Sequence, residues 1–159
     1  MANITLVSVG TLKEGYLKDA CAEYKKRLSQ YARVDEVSLK EIEIHNEDDR
    51  TEINRALEAE GEKILAAIPK DAFKIAMCVE GKQYTSPELA QIISRACDES
   101  GKIAVIIGSS HGLSETVKRA CDLRLSISKL TFPHQLIRPV IFEALYRSFT
   151  IIHGKKYHK

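Results

Sequence analysis

Apolar and polar positions along the chain alternate between two periods. Residues 4–9 are a β-rich apolar run that stops at Gly10. Residues 14–30 then carry Tyr16, Leu17, Cys21, Tyr24 and Leu28, the spacing of one helix face. Residues 34–39 predict a second strand and the acidic stretch 41–50 a loop. Residues 52–68 predict a helix resting on Ile53, Leu57, Ile64 and Leu65 and closed by Pro69. Residues 72–79 predict a strand that Glu80-Gly81 turns. Ser86-Pro87-Glu88 has the make-up of a helix start: Ser86 as N-cap, Pro87 at the first helical position, and an acid near the positive helix end. That helix runs to about Glu99, with Gly101 behind it. Residues 103–107 are uniformly apolar, as in a strand buried on both faces of a parallel sheet. Residues 108–112 predict a tight loop, Ser114 the cap of a short helix, 123–127 a strand, 128–135 a polar turn, and 136–152 a last helix.

Strands alternating with helices predict a single-domain α/β/α sandwich around a mainly parallel sheet, spanning 1–159 with no linker or repeat. A chain of 159 residues can bury roughly 70% of its unfolded surface. In such sheets ligands sit beyond the carboxyl ends of strands, so the segments after Val79, Ile107 and Ile127 are the site candidates. Eight Gly and four Pro exclude collagen-like and low-complexity chains. No apolar run approaches the ~18 residues of a membrane span, and the N-terminus reads as a strand, not a signal peptide. Cys21, Cys78, Cys97 and Cys121 have no metal-ligand spacing with each other or with the five His, which predicts no metal and reduced thiols in a cytoplasmic protein.

The net charge of +2 hides an asymmetry. Residues 102–159 hold ten Lys/Arg against three Asp/Glu, while the first 101 residues hold 14 against 19. A basic C-terminal third points to a polyanionic partner such as nucleic acid. On charge alone a non-catalytic RNA- or ribosome-binding protein remains open.

Three segments concentrate chemistry. Gly108-Ser109-Ser110-His111-Gly112 matches G-x-S-x-G, the nucleophile elbow, with Ser110 as nucleophile and Asp122 and His134 or His153 following in chain order. The chain is short for that hydrolase fold, and the alternative is a glycine loop whose backbone approaches a small molecule closely. No G-K-[ST] or G-x-G-x-x-G accompanies it. Residues 128–135 pack two hydroxyls, a cation, a ring, a proline and an imidazole beside a helix N-terminus, where backbone amides are free for a ligand. The ending, 153–159, places cations beside a ring and two imidazoles, suited to phosphate contact and base stacking.

The run Leu130-Thr131-Phe132-Pro133-His134-Gln135, Arg138, Glu143-Ala144-Leu145-Tyr146-Arg147 and the ending Gly154-Lys155-Lys156-Tyr157-His158-Lys159 closely resemble the RlmH family. The opening strand and the Ala22–Leu28 helix segment resemble it as well, so the likeness covers the whole chain. These are SPOUT-class methyltransferases that use S-adenosylmethionine to methylate N3 of a pseudouridine in the intersubunit stem-loop of bacterial 23S rRNA. The resemblance implies a C-terminal trefoil knot over about 103–159, a homodimer, and a ribosome as substrate. It carries cofactor binding to Met77, Gly108, Ile127, Ser128, Lys129, Leu130, Thr131 and Phe132. The family's glycine loop often reads GGSNG, so Ser109 and His111 add side chains near the cofactor here. Pro139 stands where the family commonly has an aliphatic residue, and is expected to sit in the first turns of the last helix and to shift Arg138.

Methyl transfer from a sulfonium needs in-line positioning most of all. The base N3 must also lose its proton, which an imidazole can accept or a cation can offset by stabilising the anion. His134 and His158 are the imidazole candidates, Arg138 is the cation, and Tyr157 is a stacking ring for the target base. A side chain at Gly108 is expected to occupy cofactor space. The apolar stripe of the last helix is expected to serve both its own core and a partner, with Ile137, Ile141, Leu145, Phe149 and Ile152 along its centre.

Overall fold

Side-chain alternation along the strands sets the layers. In β1 (Ala2–Val9), Ile4 and Leu6 face one side of the sheet, Val7 and Val9 the other. β4 (Lys102–Ile107) divides in the same way: Ile103, Val105 and Ile107 against Ala104 and Ile106. The computed structural model, which describes residues 1–159, adds β2 (Ala32–Leu39), β3 (Phe73–Lys82) and β5 (Leu123–Leu125). The five strands form one sheet in the order β2-β1-β4-β3-β5, and every pairing is parallel. One face carries α1 (Gly15–Leu28), α3 (Ser86–Glu99) and α5 (His134–Ile152), around a core that includes Leu28, Ile93, Ile141, Phe142 and Leu145. The other carries α2 (Arg50–Ala67) and α4 (Glu115–Ala120), with Ile64 and Val117 in the second core. The three-layer expectation holds, and the sheet is wholly parallel. No helix is long and apolar enough to cross a membrane. All four cysteines are free thiols.

Several boundaries differ from the sequence expectation, each for a local reason. The N-cap of α3 is Thr85, not Ser86, because only Thr85 has an acid three residues on. The Thr85 hydroxyl accepts the Glu88 N–H at 3.3 Å, and Glu88 accepts the Thr85 N–H at 2.7 Å. α5 begins at His134, two residues early. Pro133 disfavours a helical Phe132 but serves as N-cap itself, its carbonyl accepting from Leu136 and Ile137. Pro139 is therefore the sixth helical residue, and it cannot donate the helix bond to the Gln135 carbonyl. The apolar stripe of α5 is largely used within its own chain: Ile141, Leu145 and Phe149 are buried in the core, and Ile152 is exposed.

Glu80-Gly81 does not turn β3. The strand runs on to Lys82, with an irregularity between two residues that both pair with Leu125, Met77 and Lys82. Gly81 permits this, because a Cβ there would stand 2.8 Å from backbone atoms of Arg124 and Leu125. Gly81→Ala is expected to lower stability by about 1–3 kcal/mol through overpacking of the β3–β5 seam. Urea denaturation checks it, and an unchanged midpoint contradicts the close approach.

Candidate functional site

Pairing between β3 and β4 ends at Ala76↔Ile106, after which the strands part. Beyond that point Met77, Cys78, Val79 and Glu80 line one side of a cleft of about 640 Å³. The glycine loop 108–112 lines a second side, and residues 125–134 a third. All three segments marked in the sequence thus meet at the carboxyl ends of β3, β4 and β5. The structure brings Met77, Gly108, Ile127, Ser128, Leu130, Thr131 and Phe132 together in this lining; Lys129 is an exposed neighbour outside it.

The 126–132 segment is tied to β3 and to itself in a way that leaves most of its amides without a partner in the chain. The Ser126 N–H donates to the Lys82 carbonyl, the Ser126 hydroxyl to the Ser128 carbonyl, and the Leu130 N–H to the Ser128 hydroxyl. The N–H groups of Ile127, Ser128, Lys129, Thr131 and Phe132 donate to no group in the chain. Such a row of free donors over an apolar floor of Met77, Ile107, Leu125 and Ile127 suits an adenosine-sized ligand with polar edges. The residues present therefore fit S-adenosylmethionine. Leu130, 73% exposed, overhangs the rim.

The glycine loop closes on itself. The Gly112 N–H donates to the Ser109 carbonyl at 2.9 Å, and Gly112 has a φ of 85°, open to glycine at little cost. A Cβ at Gly108 would overlap the Gly112 carbonyl, so a side chain there breaks the loop before it reaches a ligand. That corrects the expectation that it would fill cofactor space in an intact chain. Both added side chains stand in the cleft lining. Ser109 is buried, while His111 Nε2 lies 2.7 Å from Glu47.

The hydrolase arrangement does not assemble. Asp122 accepts the Lys74 N–H at 2.7 Å, and the His153 ring sits on the Phe149 carbonyl and against Tyr31. Ser110 is exposed; it lines the same cleft as His134, and no hydrogen bond joins the two.

The four candidates for the chemistry lie apart in one chain. His134 lines the cleft at the start of α5. Burial pushes its pKa below the ordinary imidazole value, Arg138 and Lys13 act the same way, and Glu41 opposes them. Arg138 does not reach the cleft: it is 2% exposed, and Nη2 donates to the Gly10 carbonyl at 2.6 Å. Its Nε finds no protein acceptor. Tyr157 and His158 follow the far end of α5, a helix about 28 Å long. The tail folds back on that helix. The Tyr157 hydroxyl donates to Glu143 at 3.2 Å, its ring meets Tyr146 edge-on, Arg147 lies over it, and His158 lies against Arg147.

Sequence reasoning missed Glu80 and Lys118, which face each other across the cleft lining as an ion pair that Glu115 extends. The Glu115–Lys118 spacing was visible as a helical i,i+3 pair, but reading Glu80 as part of a turn hid the partner.

His134 gives the site a pH signature. Its folded pKa lies below the unfolded one, so the unfolded chain binds protons more readily, and stability is lost as pH falls below about 6.5. His134→Gln is expected to flatten the urea-midpoint profile between about pH 7.5 and 5; a variant with the wild-type slope contradicts the burial.

Residues 2–158 match the family model described as predicted SPOUT methyltransferase. The chain is 46% identical over 156 residues to a ribosomal RNA large subunit methyltransferase H of Caldicellulosiruptor bescii, covering 98% of this chain and 99% of that one. It is 46% identical over 158 residues to a protein of the same name from Shouchella clausii, covering 99% of each. Among solved structures, a probable methylase family protein from Haemophilus influenzae matches with a TM-score of 0.51 at 15% identity, covering 97% of this chain and 67% of that chain, a likeness of fold. By fold, by full-length match and by close relatives, the chain belongs to the SPOUT methyltransferase family, among the ribosomal RNA large subunit methyltransferase H proteins.

Proposed function

We propose that this protein is an S-adenosylmethionine-dependent methyltransferase of large-subunit ribosomal RNA, acting on N3 of a pseudouridine in the intersubunit stem-loop of assembled ribosomes in the cytoplasm. The observation that carries the reading is the cleft beyond β3, β4 and β5, with its row of unpaired N–H groups from Ile127 to Phe132. The relatives named as ribosomal RNA methyltransferases support it over their full length. Met77, Gly108 and residues 127–132 would hold the cofactor, which supplies a methyl group on a sulfonium when bound. The 103–159 segment is taken as the trefoil knot. In support, 126–133 runs beside the glycine loop before α5 returns to pack on α1 and α3.

His134 is the residue suited to take the N3 proton. It stands in the cleft, and its depressed pKa keeps the imidazole neutral and able to accept. Arg138 acts at one remove, holding the end of β1 against α5 through the Gly10 carbonyl. Tyr157 and His158 need a second copy of the chain to approach a cleft, which is the physical argument for a homodimer. In that arrangement the partner's tail closes over the target base. Tyr157 stacks on the base, His158 hydrogen-bonds it, and Lys155, Lys156 and Lys159 hold flanking phosphates. A 159-residue chain whose exposed cations must supply affinity suits a large preformed particle better than a short RNA.

Deleting residues 155–159 is expected to leave folding, the dimer and cofactor affinity nearly intact, and to abolish methyl transfer to ribosomes. Mass spectrometry of 23S rRNA incubated with either protein reads this out. Wild-type transfer by the truncated chain removes the tail from the site, and no N3-methylpseudouridine with the intact chain removes the reading itself.

A further inference from the structure

The cleft lining holds one acidic side chain, Glu80. It lies in the irregular stretch of β3 between Met77 and Lys82, where a bulge re-aims side chains. It is also held from behind. Lys118 Nζ, on α4, donates to Glu80 Oε1 and, at 3.2 Å, to Glu115. The Lys118 side chain is 13% exposed and that of Glu80 56%, so the pair is anchored at its cation and open at its carboxylate. Glu80 Oε2 accepts a bond from no other residue. The bond from Lys118 holds the Glu80 carboxyl below the usual carboxylate range, so near neutral pH it is ionised and can only accept.

S-adenosylmethionine brings donors to the cleft as well as acceptors. The unpaired N–H groups between Ile127 and Phe132 suit ring nitrogens or a carboxylate, but they cannot accept from a hydroxyl or an amine. The adenine amine travels with its ring to the apolar floor. That leaves the ribose 2′ and 3′ hydroxyls and the α-ammonium to be matched by an acceptor. Lys118 decides between them. It already neutralises Glu80, and Arg124 lies 4.0 Å from Glu115, so the charges of the cluster balance. A cation gains little from such a pair, while a neutral hydroxyl needs only the free lone pairs of Oε2.

We propose that Glu80 is a ligand-binding residue whose carboxylate, held through Oε1 by Lys118, accepts the ribose hydroxyls of the cofactor. The inference deepens the cofactor site proposed above and rests on it. A carboxylate is the acceptor that nucleotide-binding parallel sheets use for a ribose hydroxyl elsewhere. Such a bond makes the site select for ribose, because a ligand without the hydroxyls leaves the carboxylate unmatched.

Calorimetry on the full chain tests this with three probes: S-adenosylhomocysteine, its 2′,3′-dideoxy form, and 5′-methylthioadenosine, which keeps the ribose but has no amino-acid end. The wild type is expected to bind the dideoxy form about tenfold more weakly than S-adenosylhomocysteine. Glu80→Ala is expected to weaken S-adenosylhomocysteine and 5′-methylthioadenosine by a similar factor and to leave the dideoxy form unchanged, so that selection for ribose disappears. The side chain is mostly exposed, so the variant is expected to melt close to the wild type. Glu80→Gln, which keeps the shape, is expected to act in the same direction. Equal wild-type affinity for the dideoxy form overturns the inference, as does unchanged selection in Glu80→Ala. A loss confined to S-adenosylhomocysteine, with 5′-methylthioadenosine unaffected, assigns Glu80 to the ammonium and overturns it too. Each of these leaves the methyltransferase reading standing. A folded wild-type chain that binds no S-adenosylhomocysteine overturns both.

Discussion

The parting of β3 from β4 after Ala76↔Ile106 is the constraint on which the rest of the site depends. Parallel strands that stay paired present only an edge; strands that diverge expose backbone and open a cleft between them. β3 diverges because it tracks β5, pairing Met77 with Leu125 and reaching Lys82 through an irregular stretch. Gly81 makes that course possible by letting the Arg124–Leu125 backbone lie where any side chain would be. The close approach also stops β5 at Leu125, three residues into the strand. From Ser126 onward the chain is tied to itself by Ser126 and Ser128, with its other amides unpaired.

Much of this was legible in the sequence because the chemistry is local. The uniformly apolar run 103–107 could only be a strand covered on both faces, and Gly108 directly after it marked the site end of the sheet. Residues 128–135 stood out by composition, and all but two of the eight positions assigned to the cofactor by resemblance needed no rule beyond carboxyl ends of strands. What could not be read depends on distant partners. Arg138 looked like a free cation, but its fate is set by the Gly10 carbonyl, 128 positions away. Glu60 looked like one acid of a polar helix face, and only the fold buries it and brings the Ile42 N–H to it. Helix starts failed by one or two residues where caps compete: Thr85 beat Ser86 because Glu88 reciprocates, and Pro133 began α5 by its carbonyl.

α5 explains why one chain has an incomplete set of candidate groups. Its N-terminal end delivers His134 to the cleft, and its C-terminal end carries the tail away from it. The tail is nevertheless organised. Tyr157 bonds Glu143, lies under Arg147 and meets Tyr146, so the ring is half-buried on the outer face of α5 while His158 and the lysines remain exposed. Tyr157 and His158 are thus already placed on α5, which lowers the ordering the tail needs when it meets a polyanion.

The same economy of position resolves an apparent electrostatic conflict. The acidic 41–49 run meets the cleft lining through the Glu47–His111 pair, and as free charge it would repel phosphate. Its acidic residues are exposed, but some of the carboxylates of the run and of α2 are engaged by other groups of the chain. Glu47 meets His111, Glu52 caps the amides of His45 and Asn46, and the buried Glu60 accepts the Ile42 N–H. The negative charge in this part of the chain therefore works as a set of acceptors for a segment that has no ladder of its own. Exposed cations beside the cleft and in the tail include Lys129, Lys155, Lys156 and Lys159. An approaching polyanion is attracted toward the 128–135 rim and the tail, and the charge asymmetry in the sequence becomes a direction of approach in the fold.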